Sequence, residues 1–131
     1  MVNSKILPYL EVAARKYRFR VLNAANARFF HLSMPDGPGF YQIGTDQGLL
    51  AQPVEVKRLS LAPGERADLI VDFSAPAGSE IIIMRNEVLP LMQFRVAAHK
   101  TADTSALPAS LRSIRQVEES EALTTRVLTL K

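Results

Sequence analysis

Four Gly- and Pro-bearing turn signals punctuate the chain before Glu80: Asp36-Gly37-Pro38-Gly39, Gly44-Thr45-Asp46-Gln47-Gly48, Ala62-Pro63-Gly64-Glu65 and Pro76-Ala77-Gly78. Turn signals at such short, regular spacing suit a series of short strands. In the third signal, Pro63 presets φ for the first central turn position, and Gly64 can take the positive φ that a type II turn needs next.

The runs themselves alternate. Tyr17, Phe19 and Val21 share one face of Tyr17–Val21, with Arg18 and Arg20 on the other. The same period appears in Phe30-His31-Leu32-Ser33-Met34 and in Val54-Glu55-Val56-Lys57-Arg58-Leu59-Ser60-Leu61. Leu69–Phe73 and Glu80–Met84 read as more fully buried strands, and Leu91–Val96 closes the set. Nothing before residue 105 sustains a period of 3.6. The reading is an all-β domain, sandwich or barrel, and 131 residues suffice to bury its core.

After Ala98 the character changes. Small, polar and charged residues dominate, with Leu107, Leu111, Ile114 and Val117 at loosely helical spacing and Pro108 placed for a first turn. This predicts an extended connecting segment with room for a short helix. Thr124-Thr125-Arg126-Val127-Leu128-Thr129-Leu130 then turns β-like again, as the first strand of a further domain would. The expected organisation is a sandwich over 1–97, a linker over 98–123 and that opening strand over 124–131.

Composition excludes more than it assigns. With no cysteine there is no disulfide framework and no thiolate metal site. The longest apolar run of note, Ile81-Ile82-Ile83-Met84, is far short of a membrane span, and the first residues lack a signal peptide's apolar region. The net charge is +3, and the one basic cluster, Arg15, Lys16, Arg18 and Arg20, alternates with Tyr17 and Phe19 as the wet face of a strand. A nucleic-acid surface would extend such a cluster into a patch, so no nucleic-acid partner and no membrane partner are expected.

Catalytic constellations are not visible. The two histidines, His31 and His99, are far apart and lack the local spacing or the nearby cysteine of a metal pair. Met34, Met84 and Met92 suit core filling, because a thioether holds copper poorly alone. Asp46 between Gly44 and Gly48, and Asn23 and Asn26 at the end of a strand, suit the pinning of backbone groups. Glu65, Arg66 and Asp68 follow a tight turn and suit loop-pinning ion pairs. The stretch from Gly44 to Gly48 is no phosphate loop, because no Lys-Ser/Thr and no helix follow it. The reading assigns no catalytic, cofactor-binding or metal-binding residue.

Taken in order, these segments resemble the second cupredoxin domain of multicopper oxidases. Tyr17-Arg18-Phe19-Arg20 with Asn23, then Ala25, Asn26, Arg28 and Phe29, looks like that domain's opening strand and turn. Ile43-Gly44-Thr45-Asp46-Gln47-Gly48-Leu49-Leu50, Leu59-Ser60-Leu61-Ala62-Pro63-Gly64-Glu65-Arg66 with Asp68, Val71, Asp72 and Phe73, and Met92-Gln93-Phe94-Arg95-Val96 match the blocks that follow. The resemblance runs from Tyr9 to Val96 and is closest to spore-coat laccases and bilirubin oxidases.

The resemblance implies a cupredoxin-like Greek-key β-sandwich. It also implies that the intact parent oxidises phenols or similar reductants one electron at a time and reduces dioxygen to water with copper. The family's ligand motifs, His-x-His pairs and a His-Cys-His segment with a nearby Met, come from the first and third domains and are absent here. This stretch is therefore expected to be copper-free and inactive alone, with those two domains as its partners, in an extracytoplasmic setting (periplasm, secretion or spore coat). Asp46, Gly48, Pro63, Gly64 and Arg66 match as fold-shaping positions. A second implied reading is a copper-free periplasmic cell-division scaffold of the same architecture. Whatever the parent, exposed sheet edges make self-association of the isolated domain an expectation.

Overall fold

The computed structural model describes residues 1–74, 80–100 and 102–129. Among these residues there are nine strands: β1 (Tyr9–Ala14), β2 (Lys16–Leu22), β3 (Phe30–Ser33), β4 (Phe40–Thr45), β5 (Gly48–Val56), β6 (Arg58–Leu61), β7 (Arg66–Asp72), β8 (Glu80–Asn86) and β9 (Leu89–Lys100). They form a five-stranded sheet in the order β1-β9-β8-β3-β6 and a four-stranded sheet in the order β2-β7-β4-β5. Strands distant in sequence lie side by side, as Greek-key connections produce. The expected all-β sandwich is the observed fold.

The core lies between the sheets. Val12, Leu32, Phe40, Leu59, Leu61, Leu69, Val71, Phe73, Ile82, Phe94 and Val96 are buried in one cluster, with Tyr17, Phe19 and Val21 packed against it from β2. The rings of Tyr17, Phe19, Phe73 and Phe94 meet in stacked, tilted and edge-on contacts with centroids 5.1–6.4 Å apart. Such offset arrangements suit the ring quadrupoles. The three methionines expected as filler lie here too: Met34 is buried, and Met84 and Met92 pack against the cluster.

Three turns carry the chain between strands for identifiable reasons. At Ala62–Glu65, the Glu65 amide donates to the Ala62 carbonyl at 3.0 Å and Gly64 takes φ +80°, as the Pro-Gly pair predicts. Asp46-Gln47 joins β4 to β5 with Thr45 opposite Gly48, whose φ is +106°. The chain changes sheets at Arg15, whose carbonyl accepts from the Phe73 amide at 3.1 Å. The Pro76-Ala77-Gly78 signal lies outside the described residues.

Some expectations are corrected. The alternating run 54–61 is two strands in different sheets, since β5 ends at Val56 and β6 begins at Arg58. Period-2 patterning survives a change of sheet, so the sequence does not mark it. Phe40–Thr45 and Gly48–Pro53 are strands that the turn-rich composition had hidden. Leu69–Phe73 has no exposed residue, as its apolar run suggests, but Glu80–Met84 does keep an open face: Ile81 is 60% exposed, while Ile82 beside it is 2% exposed. Sheets here are lined on one side by the core, so each strand keeps an outward face.

The C-terminal part also departs from expectation. β9 continues to Lys100, past the boundary expected at 97. Leu107–Val117 is not helical; one 3-10 turn at Glu119–Glu121 is the helical element of the tail among the described residues. Thr124–Thr129 forms no strand, and Val127 and Leu128 are exposed.

Candidate functional site

The residues able to ligate a metal are dispersed. His31 lies on β3 opposite Ser60 of β6, and its Nδ1 is 2.8 Å from the Ser60 hydroxyl. The His99 side chain lies outside the described residues. Among the described residues, no three His, Cys, Asp or Glu side chains cluster as metal ligands. These donors do not fit a copper centre of the kind the family uses, and no chemical step through copper is derived from them.

The carboxylates instead act as staples on the outer face of the four-stranded sheet. Arg18 on β2 forks onto both Asp68 oxygens on β7, two strands in direct antiparallel register. The Arg18 hydrogen bond holds the Asp68 carboxyl below its usual value, against burial that acts the other way. Lys16 Nζ lies 3.4 Å from Asp72, its register partner, and 3.5 Å from Asp103. The basic cluster read from the sequence thus faces an acidic row on the neighbouring strand.

Asp46 and Asn23 do the backbone work their types suggest. Asp46 Oδ1 accepts from both the Arg66 amide, at 3.1 Å, and Arg66 Nε, at 2.7 Å. Glu65 closes its own turn by accepting from the Ala62 amide at 2.7 Å. Asn23 is buried, and its Nδ2 donates to the carbonyls of Arg28 and Leu61 while its Oδ1 accepts from the Ala25 amide. No such bond engages the Asn26 side chain among the described residues.

The tail is the feature that sequence reasoning missed. It leaves β9, passes the β2 edge, and crosses the outer face of the four-stranded sheet to the β5 edge. The Lys16 amide donates to Asp103 Oδ2 at 2.8 Å. Leu107, Pro108 and Ala109 then line a shallow depression with Tyr41, Gln52, Pro53 and Glu55. The Leu111 amide finally donates to the Ala51 carbonyl at 2.8 Å. Asp103, Leu107 and Leu111 are half-buried with exposed residues between them. Of the four residues whose spacing suggested a helix, Leu107 and Leu111 turn inward, while Ile114 and Val117 are exposed.

The outer face of the five-stranded sheet carries no such cover among the described residues. Tyr9 and Ile81 there are 55% and 60% exposed. Arg95, the register partner of Ile81 on β8 and of Glu11 on β1, stacks its guanidinium 3.7 Å from the centroid of the Tyr9 ring. That contact leaves an arginine and an aromatic ring side by side on an open sheet face, a pairing frequent at interfaces.

No family model matches the chain. Laccase from Bacillus subtilis (strain 168) is 44% identical over 99% of this chain, which spans 28% of that relative. Cell division protein FtsP from Xenorhabdus nematophila is 54% identical over 56% of this chain and 16% of its own length. Among solved structures, the McoA multicopper oxidase from the hyperthermophile Aquifex aeolicus superposes with a TM-score of 0.79 at 33% identity, over 88% of this chain and 28% of McoA. The chain therefore spans about a quarter of the length of the laccases and oxidases it matches. Homology over nearly its whole length and a shared cupredoxin-type sandwich together mean that the chain belongs to the multicopper oxidase family.

Proposed function

We propose that this chain is the copper-free middle cupredoxin domain of a laccase-like multicopper oxidase, a structural unit that holds the copper-bearing domains in register. The observation that carries this reading is the match to a laccase along 99% of the chain but only 28% of the relative. The dispersed donors, with His31 engaged by Ser60 and no cysteine in the sequence, support a structural role. In this reading residues 1–100 are the sandwich, the tail to 123 leads away from it, and 124–131 open the third domain.

The intact parent would couple one-electron oxidation of phenolic or similar substrates to the reduction of dioxygen to water, outside the cytoplasm. Its first and third cupredoxin domains are the proposed partners of this one. The sandwich alone is expected to have no oxidase activity, since its sequence supplies no cysteine and no closely spaced histidine pair to hold redox copper.

The FtsP relative supports a second reading, in which the parent is a copper-free cell-division protein of the same architecture. Reading the open frame on both sides of these residues separates the two. A downstream His-Cys-His segment with flanking His and Met supports the oxidase. Flanking cupredoxin domains without those ligands favour the scaffold. The absence of any flanking cupredoxin sequence contradicts the middle-domain reading altogether.

A further inference from the structure

We propose that residues 102–112 form a strap that clips both edges of the four-stranded sheet and shields its β5 edge from pairing with a second copy of the chain. The inference stands on this chain's own contacts and holds for either parent.

The sheet order is β2-β7-β4-β5, so β2 and β5 are its two edges. An edge strand presents unpaired N–H and C=O groups to solvent and is a template for another strand. The strap engages one edge at each end. At β2, Asp103 Oδ2 accepts the Lys16 amide at 2.8 Å, and Lys16 Nζ approaches the same carboxylate. At β5, the Ala51 carbonyl accepts the Leu111 amide at 2.8 Å, with the Arg112 amide and the Ser110 hydroxyl each at 3.5 Å. Ala51 lies within the nine-residue edge strand β5, in the stretch between Leu49 and Val54 where pairing to β4 shifts register, and the strap occupies its carbonyl.

The geometry between the clips is consistent. Three strand spacings of about 4.8 Å separate β2 from β5, and eight residues of extended chain reach well beyond that. The slack lets Leu107 and Pro108 settle against Tyr41 and Pro53 in the middle. Pro53 adds to the protection, because a proline on an edge strand has no amide to offer a partner. Asp103 is itself fixed: its Oδ1 accepts from the Ser105 amide at 2.9 Å and the Ser105 hydroxyl at 2.5 Å. The β2 clip is thus built before the strap starts across the sheet.

Amide hydrogen exchange by NMR on the 131-residue chain, with sedimentation velocity on the same samples, tests the strap. The Leu111 amide should exchange at least about tenfold more slowly than its intrinsic rate, although it lies in no strand or helix, while Ile114 exchanges close to its own intrinsic rate. Asp103→Ala should reduce the Leu111 protection and raise the dimer fraction, with core amides such as Leu69 still protected as the fold control. Unprotected Leu111 in the intact chain would overturn the strap. Lost protection in Asp103→Ala without any dimer would overturn the shielding role. If Asp103→Ala unfolds, Leu111→Pro, which removes the donated amide, should raise the dimer fraction with Leu69 still protected, and a variant that stays monomeric would overturn the shielding role.

Discussion

The rings of Phe73 and Phe94 meet 5.1 Å apart, one following β7 of the four-stranded sheet and the other within β9 of the five-stranded sheet. Both are 1% exposed, so this contact joins the two layers at the centre of the core. Phe94→Ala removes one side of it and leaves a cavity that a sandwich cannot easily collapse. We expect a loss of about 3–5 kcal/mol, read as a lower urea midpoint at unchanged slope. Phe94→Leu, which retains most of the volume, should lose markedly less.

Asn23 is 3% exposed and ties the end of β2 to the end of β6 through the Leu61 carbonyl at 3.0 Å. Its main chain joins the same knot, since the Asn23 amide donates to the Glu65 carbonyl and its carbonyl accepts the Gly64 amide. Asn23→Ala leaves the Leu61 and Arg28 carbonyls without the side-chain donor. The expected loss is about 2–3 kcal/mol in the same urea experiment. Asn23→Asp should be at least as damaging, because a carboxylate would face two carbonyl oxygens.

Gly37 sits where a Cβ would fall 2.5 Å from Ile82 Cγ2. Ile82 is a core residue at 2% exposure and has no free space to retreat into. Gly37→Ala should therefore destabilise by about 1–3 kcal/mol through overpacking. Gly64→Ala tests a different cause: open space surrounds that position, and its φ of +80° alone opposes a side chain. A thermal scan of the two variants should show both midpoints lowered, with the cost of Gly37→Ala alone reduced in an Ile82→Ala background, which lacks the clashing Cγ2.

Acid should weaken the outer-face staples. The carboxyl of Asp68 is lowered from 3.8 by the Arg18 hydrogen bond, against the opposing effect of burial. That of Asp103 is lowered by the Ser105 hydroxyl and then by the Lys16 amide. A carboxyl with a depressed folded-state pKa adds stability above its unfolded value, and the addition is lost as pH falls through the folded value. Unfolding free energy should accordingly be level from about pH 8 to 5 and fall below about pH 4. The Asp68→Asn variant should start lower and show a shallower decline across the same acid range.

The sequence and the structure agree where local chemistry decides. Tyr17, Phe19 and Val21 face the core because alternation forces it, and Pro63-Gly64 turns because only such a pair suits that backbone. Asp46 and Asn23 pin backbone groups because short polar side chains reach them. What could not be read is set by partners remote in sequence. The sheet change at Lys57 leaves the period intact. The β4 strand hides between glycines. Asp103 meets Lys16 across 87 positions, and nothing near Asp103 names its partner. The spacing of Leu107 and Leu111 suggested a helix, but a segment lying on a sheet can turn the same two residues inward.

We expect this domain to be structural and to bind no copper of its own. Copper per chain should be measured by elemental analysis after incubation with Cu(II) and desalting, with a visible spectrum of the same sample. The account predicts less than about 0.1 copper per chain and no blue absorbance, since two separated histidines and no cysteine supply no site of preferred geometry. Stoichiometric copper that survives chelation would contradict it and would place His31 or His99 in a site built across two chains.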